Sequence, residues 1–347
     1  MDSRRLKKVL IIKPSSLGDV IHALPVASAL KADVPGVRVD WVIGKGYEEL
    51  LEGNPDVDRL ILFDRRMLKG AGGLGRLMSF VRELRRERYD AVIDLQGLLR
   101  SGLMTLACRS ARKLGLADAR EGSRYFYNET VTVPNVPMHA AERYMLVLAH
   151  LGVASPETSR FTITVSQEAL WQAQAVLKDA GIAPGEPFIA MAPSARWTAK
   201  RWAAPNFIEL AAKLKKSEAI KTIFVGSDSD REVFEGLMDG VPPGSTAFGR
   251  TTLKGLAALL GEASLLVTND SGPMHMAAVV GTPVIAVFGP TDPRRTGPPG
   301  TGHTVVRADM ECAPCFKKEC DTLRCMESVS VEEVFDAVRR LLMEREG

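Results

Sequence analysis

Short apolar runs alternate with amphipathic segments of helical length from one end of the chain to the other, the pattern of βα units built on parallel sheets. In the first half, strands are expected at 8–12, 39–43, 59–63 and 91–95, with a weaker one at 130–133. The pattern restarts at 188–192, 221–225, 265–268, 284–288 and 304–306. Between the halves, 152–157 carries Gly, Pro and Ser, and a strand-like 161–165 leads into a helix from about 167. The expected domains are 1–160 and 161–347. A last amphipathic helix over 331–343, opened by Ser330 with Glu332 and Glu333 in its first turn, closes the second domain. Two such halves predict two Rossmann-like α/β domains facing across a cleft.

Length supports this division, because 347 residues exceed what one hydrophobic core usually serves. With 46% hydrophobic and 25% charged residues and no low-complexity tract, the chain is neither fibrous nor disordered. The longest apolar stretch, 277–288, is broken by Gly281, Thr282 and Pro283 and is too short to span a bilayer. The first eight residues run directly into a buried strand without a secretory leader, so a cytoplasmic location is expected. A net charge of +3 is too small to mark a nucleic-acid partner. Local charge changes the picture more. Arg65, Arg66 and Lys69, followed by Arg82, Arg85, Arg86 and Arg88, would suit an anionic substrate or membrane surface, or a solvated helix interleaved with Glu83 and Glu87.

Chemistry is expected at the carboxyl ends of strands, where open α/β sheets collect ligands. No Gly-x-Gly-x-x-Gly follows the first strand and no Gly-x-x-x-x-Gly-Lys-Ser/Thr occurs, so the simplest dinucleotide and P-loop cradles are missing. The first strand instead enters Lys13-Pro14-Ser15-Ser16-Leu17-Gly18-Asp19, which puts Asp19 near a helix N-terminus. There it is either a general base or a plain helix cap. In the second half, Asn269-Asp270-Ser271-Gly272-Pro273-Met274-His275 joins a strand to a helix with small residues whose backbone N–H groups suit a phosphate. His275 would donate to that anion or pack. Lys200, on the loop 191–202, could meet a diphosphate. Asp228 and Asp230 read either as a metal-bridging pair or as a turn that holds ribose hydroxyls. Cys312, Cys315, Cys320 and Cys325 form a Cys-x2-Cys-x4-Cys-x4-Cys run that could bind structural zinc or an iron–sulfur cluster, or pack in reduced form.

Three motifs taken together, 13–25, 89–98 and 269–275, resemble the lipopolysaccharide heptosyltransferases of glycosyltransferase family 9 over nearly the whole chain. The resemblance implies a GT-B fold, with an acceptor-binding first domain and a nucleotide-sugar-binding second one. It implies inverting transfer of L-glycero-D-manno-heptose from ADP-heptose with no required metal. It makes Asp19 the general base, places Lys200, Ser271, Gly272 and His275 around the donor diphosphate with Ser194 nearby, and gives Asp230 the ribose and Asp270 the donor sugar or its phosphate. Arg65, Arg66, Lys69 and Arg120 would face acidic Kdo sugars. Ala195 departs from the type I enzyme and the cysteine run looks like type II, whereas 39–42 and 119–128 look like type I. Type I is the expected assignment, with Kdo2-lipid A as acceptor and peripheral contact with the cytoplasmic face of the inner membrane. Type II, which adds the second heptose, and a noncatalytic nucleotide-sugar-binding module are the alternatives. An epimerase or dehydrogenase would need the missing glycine fingerprint.

Overall fold

The computed structural model describes residues 6–70, 72–154, 160–234, 241 and 244–346. The chain divides into two units, Met1–Thr164 and Val165–Gly347. In the first, β1 (Lys8–Ile12), β2 (Arg38–Gly44), β3 (Arg59–Phe63), β4 (Arg88–Asp94), β5 (Arg109–Leu116) and β6 (Glu129–Val131) make one parallel sheet in the order β3-β2-β1-β4-β5-β6. The chain starts mid-sheet, steps outward to β3, then returns across β1 to β4. Right-handed crossovers therefore put α1 (Leu17–Asp33) on one face and α2 (Gly73–Arg85) and α3 (Leu99–Ala107) on the other. The packing agrees, since α1 lies against α4 (Ala140–Leu151) and α2 against α3. With both faces covered, Val9, Leu10, Ile11 and Ile12 are all fully buried, which is why β1 is a continuous apolar run rather than an alternating one.

The second unit repeats the plan. Its parallel sheet has the order β11-β10-β9-β7-β8, from β7 (Phe188–Ala192), β8 (Lys221–Phe224), β9 (Leu265–Asn269), β10 (Val284–Val287) and β11 (Thr304–Val306). Helices α5 (Gln167–Asp179), α6 (Ala204–Glu218), α7 (Asp228–Phe234), α8 (Leu253–Glu262) and α9 (Gly272–Val279) link the strands, and short α10 (Pro293–Thr296) and α11 (Arg324–Glu327) follow. The final helix α12 (Val331–Glu346) starts in a reciprocal cap, Ser330 N donating to Glu333 Oε2 at 2.8 Å and Glu333 N to Ser330 Oγ at 3.2 Å. It returns Val334, Phe335 and Val338 to a core shared with Trp202, Phe207 and Phe224. Among the described residues no helix is long and apolar enough to cross a membrane.

Two expectations fail. The segment 161–165 forms no strand; it is tied to the first unit by side chains, with Asn54 Nδ2 donating to Thr162 O and Thr164 Oγ1 to Gly53 O. Conversely, β5 is a strand that hydrophobic patterning does not announce, because Arg109, Arg112 and Lys113 occupy its half-exposed start near the sheet edge.

In each sheet the strand order reverses once, between β1 and β4 and between β7 and β9, and loops leaving such adjacent strands form a ligand crevice. One glycine is required near the first crevice. A Cβ on Gly115 would stand 2.1 Å from the ring of Tyr127, whose hydroxyl donates to the buried Asp94 at 2.7 Å. Gly115→Ala is expected to cost about 1–3 kcal/mol by overpacking, read from the denaturant midpoint. An unchanged midpoint would mean that the ring moves freely aside.

Candidate active site

The first crevice is built at the end of β1. Ser16 caps α1 and Asp19 is its third residue, so the two form a reciprocal cap: Ser16 N and Oγ both donate to Asp19 Oδ2, at 3.1 and 2.7 Å. The Asp19 side chain thus caps the helix through Oδ2. Its Oδ1 lies 3.8 Å from the ammonium of Lys13 and accepts at 3.5 Å from the hydroxyl of Tyr144, on α4. The Asp19 side chain is 42% exposed, open to an incoming hydroxyl, whereas that of Lys13 is 3% exposed. Burial works to lower the Lys13 pKa, but Tyr144, Asp19 and Asp94 outweigh it and hold the ammonium above its ordinary value. Burial also pushes the Tyr144 phenol up, so it remains a donor. The carboxylate therefore faces a permanent cation.

Sequence reasoning assigned no role to Lys13 or Tyr144. Lys13 lay in plain view inside the quoted motif, but an ammonium at a strand end carries no local signal of burial. Tyr144 is brought in from 125 positions away by the packing of α4 on α1. Lys13→Met is expected to lower kcat on the order of 100-fold by releasing Asp19 from its position. The same change made in Asp19→Ala should cost little more; a full further loss would show that Lys13 acts elsewhere.

Beside this loop, Asp94 ends β4 and accepts from Gln96 N at 2.8 Å and Gly97 N at 3.0 Å, which folds the turn that follows. Burial pushes the Asp94 carboxyl up. Gln96 Oε1 in turn accepts from Ser15 N at 3.3 Å, joining the two strand-end loops. A cavity of about 150 Å³ opens there, lined by Ser15, Phe63, Arg65, Gln96, Arg100 and Glu121 among others. Of the four expected acceptor cations, the structure brings Arg65 to this cavity, where its Nη2 donates to Ser15 Oγ at 2.9 Å. Arg66, 76% exposed and paired with Asp64, is not part of the lining, nor are the exposed Lys69 and Arg120. Arg120 is nevertheless at the rim, since its N–H donates to Gly97 O. Arg100, which sequence reasoning passed over, joins the lining with its guanidinium 5.6 Å from the Phe63 ring centre.

The second crevice gathers most of the expected donor residues. Lys200, on a short turn after β7, donates to Asp270 Oδ2 at 2.6 Å, and Thr291 Oγ1 donates to the same oxygen at 2.6 Å. Asn269 fixes both loops, accepting from Trp202 N at 2.9 Å and donating to Pro193 O. Ser271 caps α9 with Gly272 as its first residue, so the free N–H groups of the first turn are presented there; His275 is buried in that turn. Ser194 is half-buried on the loop leaving β7. Asp230 sits apart, after β8, where its Oδ2 accepts from Ser227 N and Oγ, both at 2.7 Å. Asp228 turns instead to Arg231 at 3.5 Å, so the two aspartates form no metal-bridging pair.

Of the two readings of the cysteine run, metal site or reduced packing, the structure shows no converged ligand set for the first. Cys312 and Cys315 are exposed, Cys320 is half-exposed, and Cys325 is buried on α11 against Gly289. Burial pushes the Cys325 thiol up, and the nearby Cys312, Cys315 and Cys320 add to the shift. The four are therefore neighbours without a shared ligand geometry: α11 turns Cys325 into the core while the loop before it leaves the others outside. Among the described residues no group of three or more His, Cys, Asp or Glu side chains is arranged to hold a metal ion.

One crevice holds a carboxylate beside a cation, and the other holds a lysine with a helix N-terminus, groups suited to a diphosphate. The comparisons agree. Residues 77–325 match the family described as glycosyltransferase family 9 (heptosyltransferase). Lipopolysaccharide heptosyltransferase 1 of Pseudomonas aeruginosa is 34% identical over 322 residues, covering 90% of this chain and 87% of that protein. Among solved structures, a glycosyl transferase of family 9 from Veillonella parvula has a TM-score of 0.85 at 27% identity, covering 99% of both chains. The E. coli heptosyltransferase WaaC with ADP has a TM-score of 0.77 at 27% identity, covering 96% of this chain and 99% of that one. The two parallel α/β units are those of a GT-B protein. The chain belongs to glycosyltransferase family 9, and it is a glycosyltransferase.

Proposed function

We propose that the protein transfers L-glycero-D-manno-heptose from ADP-heptose to the inner core of lipopolysaccharide, with inversion at the anomeric carbon and Kdo2-lipid A as acceptor. The observation that carries the reading is Asp19, a half-exposed carboxylate with one oxygen on its own helix and the other beside a buried ammonium and the Tyr144 hydroxyl. The likeness to lipopolysaccharide heptosyltransferase 1 supplies the sugar and the type I acceptor.

In this reading the first unit binds the acceptor and the second the donor. The acceptor hydroxyl gives its proton to Asp19 Oδ1 as its oxygen attacks the anomeric carbon, and the bond from that carbon to the diphosphate breaks on the opposite face, releasing ADP. Lys200 exchanges Asp270 for a diphosphate oxygen, and the N–H groups at Ser271 and Gly272, with His275, share the leaving charge. Ser194 stands beside the diphosphate, Asp270 meets the heptose or its phosphate, and Asp230 holds the ribose. Arg65, with Arg120 at the rim and Arg66 and Lys69 farther out, meets the Kdo carboxylates. These groups manage the charge without a metal. The work is done at the cytoplasmic face of the inner membrane. Transfer is tested with ADP-heptose against Kdo2-lipid A and its heptosylated product, read by mass of the glycolipid. A mass gain of one heptose on Kdo2-lipid A is expected; gain only on the heptosylated acceptor would move the protein to type II, and ADP binding without either product would make it a noncatalytic module. Metal content, measured on protein purified without added metal, decides whether the cysteine run binds zinc or iron.

A further inference from the structure

Among the described residues of the first unit, five of the eight exposed large apolar side chains lie on the neighbouring helices α2 and α3. On α3, Leu99, Leu103 and Leu106 recur at one-turn spacing and are 45%, 48% and 53% exposed. The opposite side of the same helix buries Ser101 and Thr105, whose hydroxyls must find backbone partners: Ser101 Oγ donates to Leu98 O and Thr105 Oγ1 to Ser101 O. The helix buries Met104 in the core beside these hydroxyls yet leaves its three leucines in water, more apolar surface than a water-facing helix side usually shows. Its neighbour α2 continues the face with Leu74, 73% exposed, and Met78, 49% exposed, one turn apart.

The charge around these residues selects the partner. Arg82 and Arg85 on α2 are exposed, and Arg85 reaches the carbonyl of Ala107 at the end of α3, so it borders the leucines, whereas Arg76 folds back onto Met67 O and Lys69 O and Arg100 lines the cavity. The one acid within α2, Glu83, is paired with Arg59. A second copy of the chain would bring this cationic rim against itself, whereas lipid phosphates neutralise it. The face also adjoins the cavity described above, since Arg100, Ser101 and Met104 of α3 contribute to its wall.

We infer that the α2–α3 face rests on an anionic bilayer, its leucines and Met78 entering the boundary between headgroups and acyl chains while the arginines meet lipid phosphates. This goes beyond peripheral contact by naming the surface, and it rests on the heptosyltransferase reading only for the idea that the acceptor is lipid-borne. Docking there would present the cavity to sugars that project from the same bilayer.

The test is flotation of the full chain with vesicles of phosphatidylcholine alone or mixed with phosphatidylglycerol. The wild type is expected to float with the anionic vesicles, to stay behind with the neutral ones, and to lose binding as salt is raised. Leu103→Glu with Leu106→Glu, and separately Arg82→Glu with Arg85→Glu, should each weaken binding by about tenfold or more. Transfer to a deacylated, water-soluble acceptor and the thermal midpoint should be unchanged in both, which separates lost docking from lost folding. A wild type that ignores anionic vesicles, or leucine variants that float as well as it does, would overturn the inference. So would leucine variants that shift the chain from dimer to monomer while vesicle binding stays intact, since the face would then serve a second copy. Failure of the wild type on the soluble acceptor would sink the catalytic reading instead, and the flotation result would still decide this one.

Discussion

Asp19→Asn is expected to lose roughly 10²- to 10⁴-fold in turnover while ADP still binds. The amide keeps the shape of the carboxylate, and its oxygen can still accept from Ser16 N, so α1 keeps its cap. What disappears is the basic lone pair and the charge facing Lys13, 3.8 Å away. Asp19→Ala removes the carboxylate half of the reciprocal cap, leaving Ser16 in place, and should add up to about 1 kcal/mol of lost stability. The pair of variants therefore separates folding from chemistry: turnover falls in both, whereas the unfolding midpoint falls further in alanine. Isothermal titration with ADP is the control, because the nucleotide is assigned to residues of the other unit. Turnover near the wild-type rate in Asp19→Asn would mean that some other group takes the acceptor proton.

The same residue shows how far the sequence could be read. Its place near a helix start was legible from a polar loop after an apolar run; the structure puts one oxygen on the cap and the other beside Tyr144, so capping does not exclude the proposed base role. Strand positions were legible wherever burial on both faces forces a continuous apolar run, as in β1, β7 and β9. The signal failed at β5, where Arg112 pairs with Glu129 of the edge strand at 2.7 Å and an ion pair replaces apolar pattern. It also failed at 161–165, which has strand-like composition but meets no sheet edge.

Local motifs likewise named the loops of the site but not the partnerships within them. That Lys200 and Asp270 are paired, or that Arg65 reaches Ser15 while Arg66 turns outward, depends on which strands are neighbours. The cysteine spacing suggested a cluster, yet Cys325 is buried on α11 while Cys312 and Cys315 stay exposed, a difference that spacing does not carry. Spacing states what the chain could bring together; burial decides what it does.

The pairing of Lys200 with Asp270 leads to the second large effect. Lys200→Met should lower kcat on the order of 10²- to 10³-fold, the usual loss when one preorganised donor to a developing charge is removed. It should also destabilise the second unit, because Asp270, 4% exposed, would then be left with the Thr291 hydroxyl alone. Removing one partner of a buried pair costs about 3–5 kcal/mol, and the 15% exposure of Lys200 places this case at the low end. Combining Lys200→Met with Asp270→Asn removes the orphaned charge and should restore most of the stability, since a neutral amide can still accept from Thr291. It should restore none of the turnover, because no cation then meets the leaving diphosphate. Denaturant unfolding and ADP release measured on the single and double variants give the two readouts. If activity returned along with stability, Lys200 would be holding the fold and not the donor; if the single variant were as stable as the wild type, the ion pair would not be what keeps Asp270 buried.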